Sequence, residues 1–249
     1  MNSSPLAQLM SQRVGPAFDF GGYRFSRAES EAESLDAFRL RHKVFVGEGF
    51  LDPSQFADGF FRDQFDQVST HILVRDGAGG LVATTRFVHS TSMGFPTEHL
   101  FDFAPPGVPR ARLGEYGRLA IEPAHRGGAR APMLGLLKAV FECMIEQRTT
   151  HVFAFLSPKL AQSYAALGCV SVPLETRPPS AETVSRRQPM RGYFENQQVH
   201  PVLFDLREMM IQVGVPFDRD ELAFVEERMP SRRGLGGESP PRLAVVSPG

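Results

Sequence analysis

One segment, residues 113–137, constrains this chain more than any other. It reads LGEYGRLAI, then EPAHRGGARA, then PMLGLL: an apolar strand, a turn rich in Arg and Gly, and the start of a helix. A helix that follows such a turn leaves backbone N–H groups unpaired at its N-terminus, with the positive end of the helix dipole behind them. Groups arranged in this way bind phosphate. The segment therefore predicts a pocket for a small phosphorylated group.

The local charge supports this interpretation. Between Arg110 and Arg130 there are five Arg and two Glu, whereas the chain of 249 residues has a net charge of −1. A nearly neutral chain argues against general nucleic-acid binding, which usually needs a basic excess. Two Cys are too few for a disulfide framework, seven scattered His give no metal-ligand pattern, and no apolar run approaches the length of a membrane helix. We therefore expect a cytoplasmic protein without a metal site or a membrane span.

Hydrophobic periodicity predicts one α/β domain over residues 21–229. Residues 1–20 are expected to be loosely ordered, and residues 230–249 to form a flexible tail. Strands are predicted at 23–27, 70–75, 80–88, 113–121, 151–156 and 168–176. Helices are predicted after a capping Ser30 and at 131–147, 158–167, 201–213 and 220–228. This order indicates a mixed central sheet flanked by helices.

Five short motifs follow one another along the chain. They are Phe38-Arg-Leu-Arg-His-Lys-Val-Phe45-x-x-Glu48, Asp63-Gln-Phe-Asp66, Val82-Ala-Thr-Thr-Arg86, Glu115-Tyr-Gly-Arg118 and Arg126-Gly-Gly-Ala-Arg-Ala131. With the order of elements, they resemble the GNAT acyltransferase fold, and more narrowly the autoinducer (acyl-homoserine lactone) synthases and long-chain N-acyl amino acid synthases. With Gly49-Phe-Leu-Asp-Pro53 and Gly192-Tyr193 added, the chain looks most like the PEP-CTERM/exosortase-associated branch of this group.

The resemblance implies an N-acyltransferase without a tightly bound cofactor. It would move a medium- or long-chain fatty acyl group from an acyl-carrier-protein or coenzyme A thioester to an amine, with an amino acid as the expected acceptor. Carrier proteins are acidic, so the basic loop favours one of them as the partner. The chain has no Trp, and it has Phe61 at a position where the homoserine lactone synthases have Glu. Both differences disfavour S-adenosylmethionine as the acceptor. Homoserine lactone synthesis, short-chain acetyl transfer and a catalytically silent acyl-binding module are the alternatives.

Acyl transfer to an amine needs a base for the nitrogen and hydrogen-bond donors for the developing oxyanion. Glu115 is the first candidate for the base, because it lies on the strand that leads to the loop. Arg118 would face the opposite side of a regular strand, so a bulge around Gly117 is expected to bring the two side chains together. The alternative is a structural ion pair of Glu115 with Arg86 or Arg118. The resemblance adds Tyr164 as a proton donor to the leaving thiolate. The alternative is that Tyr164 only packs against the sheet.

Further candidates bind the two substrates. The resemblance implies that the acyl donor contacts Ile121 and the loop residues Arg126, Gly127, Gly128, Ala129, Arg130 and Ala131. It implies acceptor binding at five positions, which are Arg41, Phe45, Asp63, Asp66 and Arg86. The two Asp would hold an ammonium group and the two Arg a carboxylate. The alternatives are a solvated, capped turn for the two Asp and an exposed helix surface for Arg41.

The chain contains 21 Phe, many of them at 45–65 and 95–103, outside the predicted regular elements. Such rings can line a tunnel for a long acyl chain, in which each buried methylene contributes about 0.8 kcal/mol. The alternatives are that the rings pack loops against the core or form a dimer surface.

Overall fold

A mixed, mostly antiparallel sheet forms the centre of the computed structural model, which describes residues 5–12, 14–127, 130–169 and 171–214. Within these ranges the sheet has eight strands: β1 (Ala17–Phe20), β2 (Tyr23–Arg27), β3 (Ser69–Arg75), β4 (Leu81–Val88), β5 (Leu113–Ile121), β6 (His151–Leu156), β7 (Ser171–Pro173) and β8 (His200–Asp205). Their order across the sheet is β1-β2-β3-β4-β5-β6-β8-β7. Among these strands, β5 and β6 are the one parallel pair.

Helices cover both faces of the sheet. The described residues form α1 (Pro5–Ser11), α2 (Glu31–Gly47), α3 (Pro96–Leu100), α4 (Ala131–Glu146), α5 (Pro158–Ala165), α6 (Ala181–Arg187), α7 (Arg191–Gln197) and α8 (Leu206–Val213). Local chemistry fixes the start of α2, where the Ser30 hydroxyl accepts a hydrogen bond from the Glu33 N–H at 3.2 Å. The predicted mixed central sheet flanked by helices is therefore confirmed.

The alternation along β3 shows how the layers are arranged. Leu73 packs with Phe38 of α2, whereas Ile72 and Val74 belong to a larger core with Leu136 of α4. Since successive side chains of a strand point to opposite faces, α2 and α4 lie on opposite faces of the sheet. We refer below to the α2 face and the α4 face.

The N-terminal region differs from the loose order predicted for residues 1–20. Helix α1 buries Leu6, Leu9 and Met10 in the same core as α4, and β1 pairs with β2 as an edge strand. The ammonium group of Lys138, on α4, donates to the Met10 carbonyl at 3.1 Å. These apolar positions follow a helical spacing, but a helix of seven residues is too short for that signal to stand out from its Ser- and Pro-rich surroundings.

The C-terminal region also differs from its prediction. Residues 200–205 form strand β8, and only the second half of the predicted helix at 201–213 is helical, as α8. Strand β7 is shorter than the strand predicted at 168–176, and α6 and α7 occupy a stretch without a predicted element. The helix predicted at 220–228 and the tail at 230–249 lie outside the described residues. Within those described, no helix is both long and apolar enough to cross a membrane.

Candidate functional site

The parallel strands β5 and β6 open a gap in the sheet. Their register joins Leu113–Glu115 to residues 151–153, while the two strands run on to Ile121 and Leu156. A cavity of about 410 Å³ occupies the gap, a volume typical of small-molecule sites. The cavity is lined by Leu160 from the α4 face and by Phe45 from the α2 face, so it passes through the sheet.

A bulge in β5 lies beside this cavity. Against β4, Arg86 faces Gly117 and Thr84 faces Ala120, so two residues of β5 stand opposite Thr85 alone. One of the two is Arg118, whose φ of 56° is left-handed and rare for a residue with a side chain. The bulge turns Arg118 to the α2 face, where Glu115 also points. The predicted bulge around Gly117 is therefore confirmed.

Five charged side chains on the α2 face form a buried network, which we call the Arg–Asp cluster: Arg41, Asp63, Asp66, Arg86 and Arg118. Arg86 lies 2.6 Å from an oxygen of Asp63 and 2.8 Å from an oxygen of Asp66. Arg41 pairs with Asp66 at 2.7 Å, and Arg118 pairs with Asp63 at 2.6 Å. Burial raises the pKa of Asp63, but Arg86 and Arg118 outweigh it and hold that pKa well below its usual range. Both carboxyl groups of the cluster are therefore ionised at neutral pH.

Arg41 and Arg86 are buried within the cluster. Their side chains are 0% and 1% exposed, neither lines the cavity, and both are paired with Asp. The alternative of an exposed Arg41 is therefore wrong, whereas the binding of an acceptor carboxylate by these two Arg stays a prediction.

The two Asp of the cluster combine capping with burial. An oxygen of Asp63 accepts from the Phe65 N–H at 2.9 Å, and an oxygen of Asp66 accepts from the Asp63 N–H at 2.8 Å. The capped turn is confirmed, but it is not solvated, because Asp66 is buried. Neither carboxylate lines the cavity, and their expected contact with an acceptor ammonium group stays a prediction.

Glu115 is separated from the cavity. Its carboxyl group is 1% exposed and accepts a hydrogen bond from the Thr97 N–H of α3 at 2.8 Å. Burial raises its pKa to about 8, although Arg86 and Arg118 lower it through space. Glu115 does not line the cavity, and its expected role as the base stays a prediction. The alternative ion pair is not formed, since both Arg pair with Asp63 in the part of the chain described.

Tyr164 reaches the cavity only through a second tyrosine. Its hydroxyl is buried and donates to the hydroxyl of Tyr116 at 2.6 Å. Tyr116 lines the cavity where β5 and β6 separate, whereas Tyr164 does not. Burial raises the pKa of both phenols, so both are neutral at physiological pH. The sequence analysis missed Tyr116, although it lies inside the Glu115-Tyr-Gly-Arg118 motif.

The Arg/Gly loop lies at the solvent-exposed end of the cavity. Ile121, Arg126, Gly127 and Arg130 line this end, and Ala131 begins α4. The Nε of Arg126 donates to the Ile121 carbonyl at 2.7 Å, and its guanidinium forms an ion pair with Glu48 at the end of α2. Gly128 and Ala129 lie outside the described residues. The expected donor residues that the structure describes are thus gathered at one opening.

The Phe-rich segments divide into two groups. Phe45, Phe50 and Phe155 line the cavity together with Tyr193 of α7, whose ring centre lies 5.2 Å from that of Phe50. The rings of segment 95–103 instead pack in separate clusters on the α2 face. Loop packing therefore accounts for the second group, whereas the role of the first group in holding an acyl chain stays a prediction. Phe155 was not among the predicted residues, and Tyr193 was quoted only as part of a motif. Both pack in the cluster of Phe45 only in the folded chain.

Known proteins share the fold of this chain. Residues 36–182 match the family model of N-acyl amino acid synthase FeeM. The structure of FeeM, from uncultured soil microbes, has a TM-score of 0.52 and 15% identity, and the match covers 76% of this chain and 94% of that chain. TofI, in a ternary complex with an inhibitor and MTA, has a TM-score of 0.56 and 17% identity, over 81% and 98% of the two chains. The AHL synthase LasI has a TM-score of 0.54 and 14% identity, over 79% and 96%.

No curated protein sequence matches this chain. At these low identities, the three structures establish a shared fold, and the family match covers most of that fold.

Proposed function

The chain belongs to the family of N-acyl amino acid synthase FeeM, whose members are acyltransferases, and from that premise we propose which substrates it joins. It transfers a medium- or long-chain fatty acyl group from a carrier-protein or coenzyme A thioester to the amino group of an amino acid. The observation that carries this proposal is the cavity between β5 and β6, which has a basic loop at its open end and aromatic rings along its walls. We further propose that the protein works in the cytoplasm.

The basic loop is the proposed binding site for the phosphate of the donor. Arg126 and Arg130 are exposed at the opening, and the backbone of Gly127 and Ala131 lies beside them. The resemblance assigns Gly128 and Ala129 to the same contact. Because Arg pairs well with phosphate, the phosphopantetheine arm common to both donors enters here. An acidic carrier protein is the proposed partner, since exposed basic residues attract it.

Beyond the loop, the arm runs along Ile121 to the bulge, where the thioester carbonyl lies beside β5. The acyl chain then occupies the apolar part of the cavity, beside Phe155 and Tyr193. Attack of the amine forms a C–N bond and breaks the C–S bond. The nitrogen loses one proton and the sulfur gains one. We assign both proton transfers to Tyr116. Its hydroxyl gives its proton to the sulfur and then takes the proton that the nitrogen loses, and Tyr164 supports it by donating a hydrogen bond to the Tyr116 oxygen.

The Arg–Asp cluster acts on the acceptor through Arg118. Of the three Arg in the cluster, Arg118 is the one that lines the cavity. Three Arg and two ionised Asp leave the cluster with one excess positive charge, which favours an anionic acceptor such as the carboxylate of an amino acid. Arg41, Asp63, Asp66 and Arg86 therefore position Arg118, and Phe45 contributes a wall of the acceptor pocket.

The experiment is a transfer assay with two donors. The purified protein is incubated with dodecanoyl-coenzyme A or dodecanoyl carrier protein and a mixture of the 20 amino acids, and thiol release and N-acyl products are measured. We expect thiol release that depends on the acceptor, with a matching N-dodecanoyl amino acid. No release above background with either donor would contradict the proposal, and donor binding without release would indicate the silent acyl-binding module. A homoserine lactone formed only with S-adenosylmethionine would instead support that alternative.

The narrower resemblance to the PEP-CTERM/exosortase-associated branch stays a prediction, because neither the family match nor the three structures tests it.

A further inference from the structure

The N-terminal hairpin of β1 and β2 packs against the Arg/Gly loop, which we call the donor loop. A Cβ atom on Gly21, at the turn of the hairpin, would collide with the Cβ of Ala131 at the start of α4. Beyond this turn, the rings of Tyr23 and His125 meet edge to face, with their centres 5.7 Å apart. The hydroxyl of Tyr23 lies 3.1 Å from Nδ1 of His125, which is a hydrogen-bond distance. Tyr23 lies outside the family match at 36–182, so that match does not account for this contact.

His125 has one ring nitrogen left for a ligand. The residue lines the cavity, and Tyr23 occupies only its Nδ1. Within the described part of the chain Nε2 has no hydrogen-bond partner, and it is not among the buried nitrogens that lack one, so it is accessible. A neutral His ring carries its proton on one of the two nitrogens. When the Tyr23 hydroxyl donates to Nδ1, this proton lies on Nε2, and Nε2–H is a donor for an anion.

The neighbouring guanidinium of Arg126 is already partly engaged. Its Nε donates to the Ile121 carbonyl at 2.7 Å, and its Nη1 is paired with Glu48 at the end of α2. A phosphate group has three strong acceptor oxygens, and this side chain alone does not supply a donor for each of them. A further donor at the same opening would therefore strengthen the binding of phosphate.

We propose that Nε2–H of His125 donates to the phosphate of the phosphopantetheine arm, and that Tyr23 holds the ring in the tautomer and orientation that this contact needs. Arg126 and Arg130 supply the charge, and His125 supplies a directed hydrogen bond. His125 is then a donor-binding residue, and Tyr23 is a positioning residue. The inference rests on the proposed function and adds a contact to its donor site. Carrier-protein and coenzyme A thioesters share this phosphate, so the contact serves either donor.

Two probes that differ only in the phosphate test this contact. They are S-dodecyl-phosphopantetheine and S-dodecyl-pantetheine, thioethers that cannot be transferred, and calorimetry measures the Kd of each. We expect the wild type to bind the phosphorylated probe more tightly. His125→Asn keeps a polar group near Nδ1 but loses the donor at Nε2. It should weaken binding of the phosphorylated probe about tenfold or more, as for loss of a charge-assisted hydrogen bond, and leave the other probe unchanged.

Two further substitutions separate the donor atom from the ring. His125→Gln places an amide N–H near the position of Nε2 and should restore most of the affinity for the phosphorylated probe. Tyr23→Phe keeps the ring and removes the hydroxyl, and it should weaken binding of that probe alone, about threefold. His200→Asn, an exposed change on β8, is the control and should match the wild type.

The transfer assay distinguishes the two sources of the phosphate. His125→Asn should raise the donor KM for dodecanoyl carrier protein, for dodecanoyl-coenzyme A or for both, according to which of them the wild type uses. The acceptor KM and kcat should not change, because the contact lies at the far end of the arm from the thioester.

Two kinds of result separate the inference from the proposed function. An active wild type whose preference for the phosphorylated probe is unchanged in His125→Asn overturns the inference alone. Equal weakening of both probes in His125→Asn or Tyr23→Phe also overturns it, since the residue would then have only a structural role. A wild type that transfers no acyl group from either donor overturns the proposed function and the inference with it.

Discussion

Glu115 is a carboxyl group that folding moves into an apolar environment, and this burial has a measurable consequence. Its pKa rises from an ordinary 4.5 to about 8. A raised pKa means that the folded state binds the proton more tightly than the unfolded chain does. The contribution of Glu115 to stability is therefore fully present below pH 4.5 and is lost as the pH rises toward 8.

We expect Glu115→Gln to reduce this pH dependence. The amide keeps an oxygen for the Thr97 N–H but cannot ionise. Between pH 5 and pH 8 the free energy of unfolding of the wild type should fall more than that of the variant, by a few kcal/mol, on the order of 1.4 kcal/mol per pKa unit. Urea unfolding at several pH values measures both curves. Parallel curves would mean that Glu115 is not buried as described.

For single residues, the sequence predicted which charged side chains belong to the site more reliably than it predicted what each of them does. The motifs contain all five residues of the Arg–Asp cluster, because their chemical types and spacing are visible in the chain. The pairing within the cluster depends on how the segment 63–68 packs against β4 and α2, which no spacing reveals. Glu48 and Tyr116 lay inside quoted motifs, yet their access to the cavity follows only from the divergence of β5 and β6.

At the scale of elements, α7 depends on a close approach to the loop that follows α2. A Cβ atom on Gly192 would lie 2.0 Å from the Gly49 carbonyl oxygen, and the Tyr193 N–H donates to the Phe50 carbonyl at 3.3 Å. Only glycine allows this contact. Since Tyr193 lines the cavity, the position of α7 also shapes the proposed acyl site.

Gly192→Ala should therefore push α7 away from this loop. We expect a loss of about 1–3 kcal/mol in the free energy of unfolding, as for other overpacked sites, together with a higher donor KM. Gly47→Ala is a matched control, because a Cβ there meets nothing within 4 Å and alanine favours the helix. Chemical denaturation of both variants measures their free energies of unfolding. Equal stability of the two would show that α7 does not pack tightly on Gly49.

Elements with strong local signals were predictable, and those fixed by tertiary packing were not. Helix α2 has its Ser30 cap, and α4 and α5 have clear apolar periodicity with Pro near their starts. Strand β8 was predicted as part of a helix because Val202 and Phe204 face the α4 side while Leu203 packs on the other. A strand buried on both faces lacks polar alternation, so its apolar run resembles that of a buried helix.

At the scale of the whole molecule, one gap in the sheet connects the two halves of the proposed reaction. The donor loop and α4 lie at one end of the cavity, and Phe45 and Arg118 on the α2 face border its other part. The sheet holds both sets of residues on a single rigid framework. We therefore propose that the amine and the thioester meet where β5 and β6 separate.

The most direct test of this arrangement is a crystal structure of the protein with S-dodecyl-phosphopantetheine. We expect the phosphate to contact Arg126 and the dodecyl chain to lie between β5 and β6, beside Tyr116 and Phe155. An arm bound at another surface, with the gap between the two strands empty, would contradict the central claim.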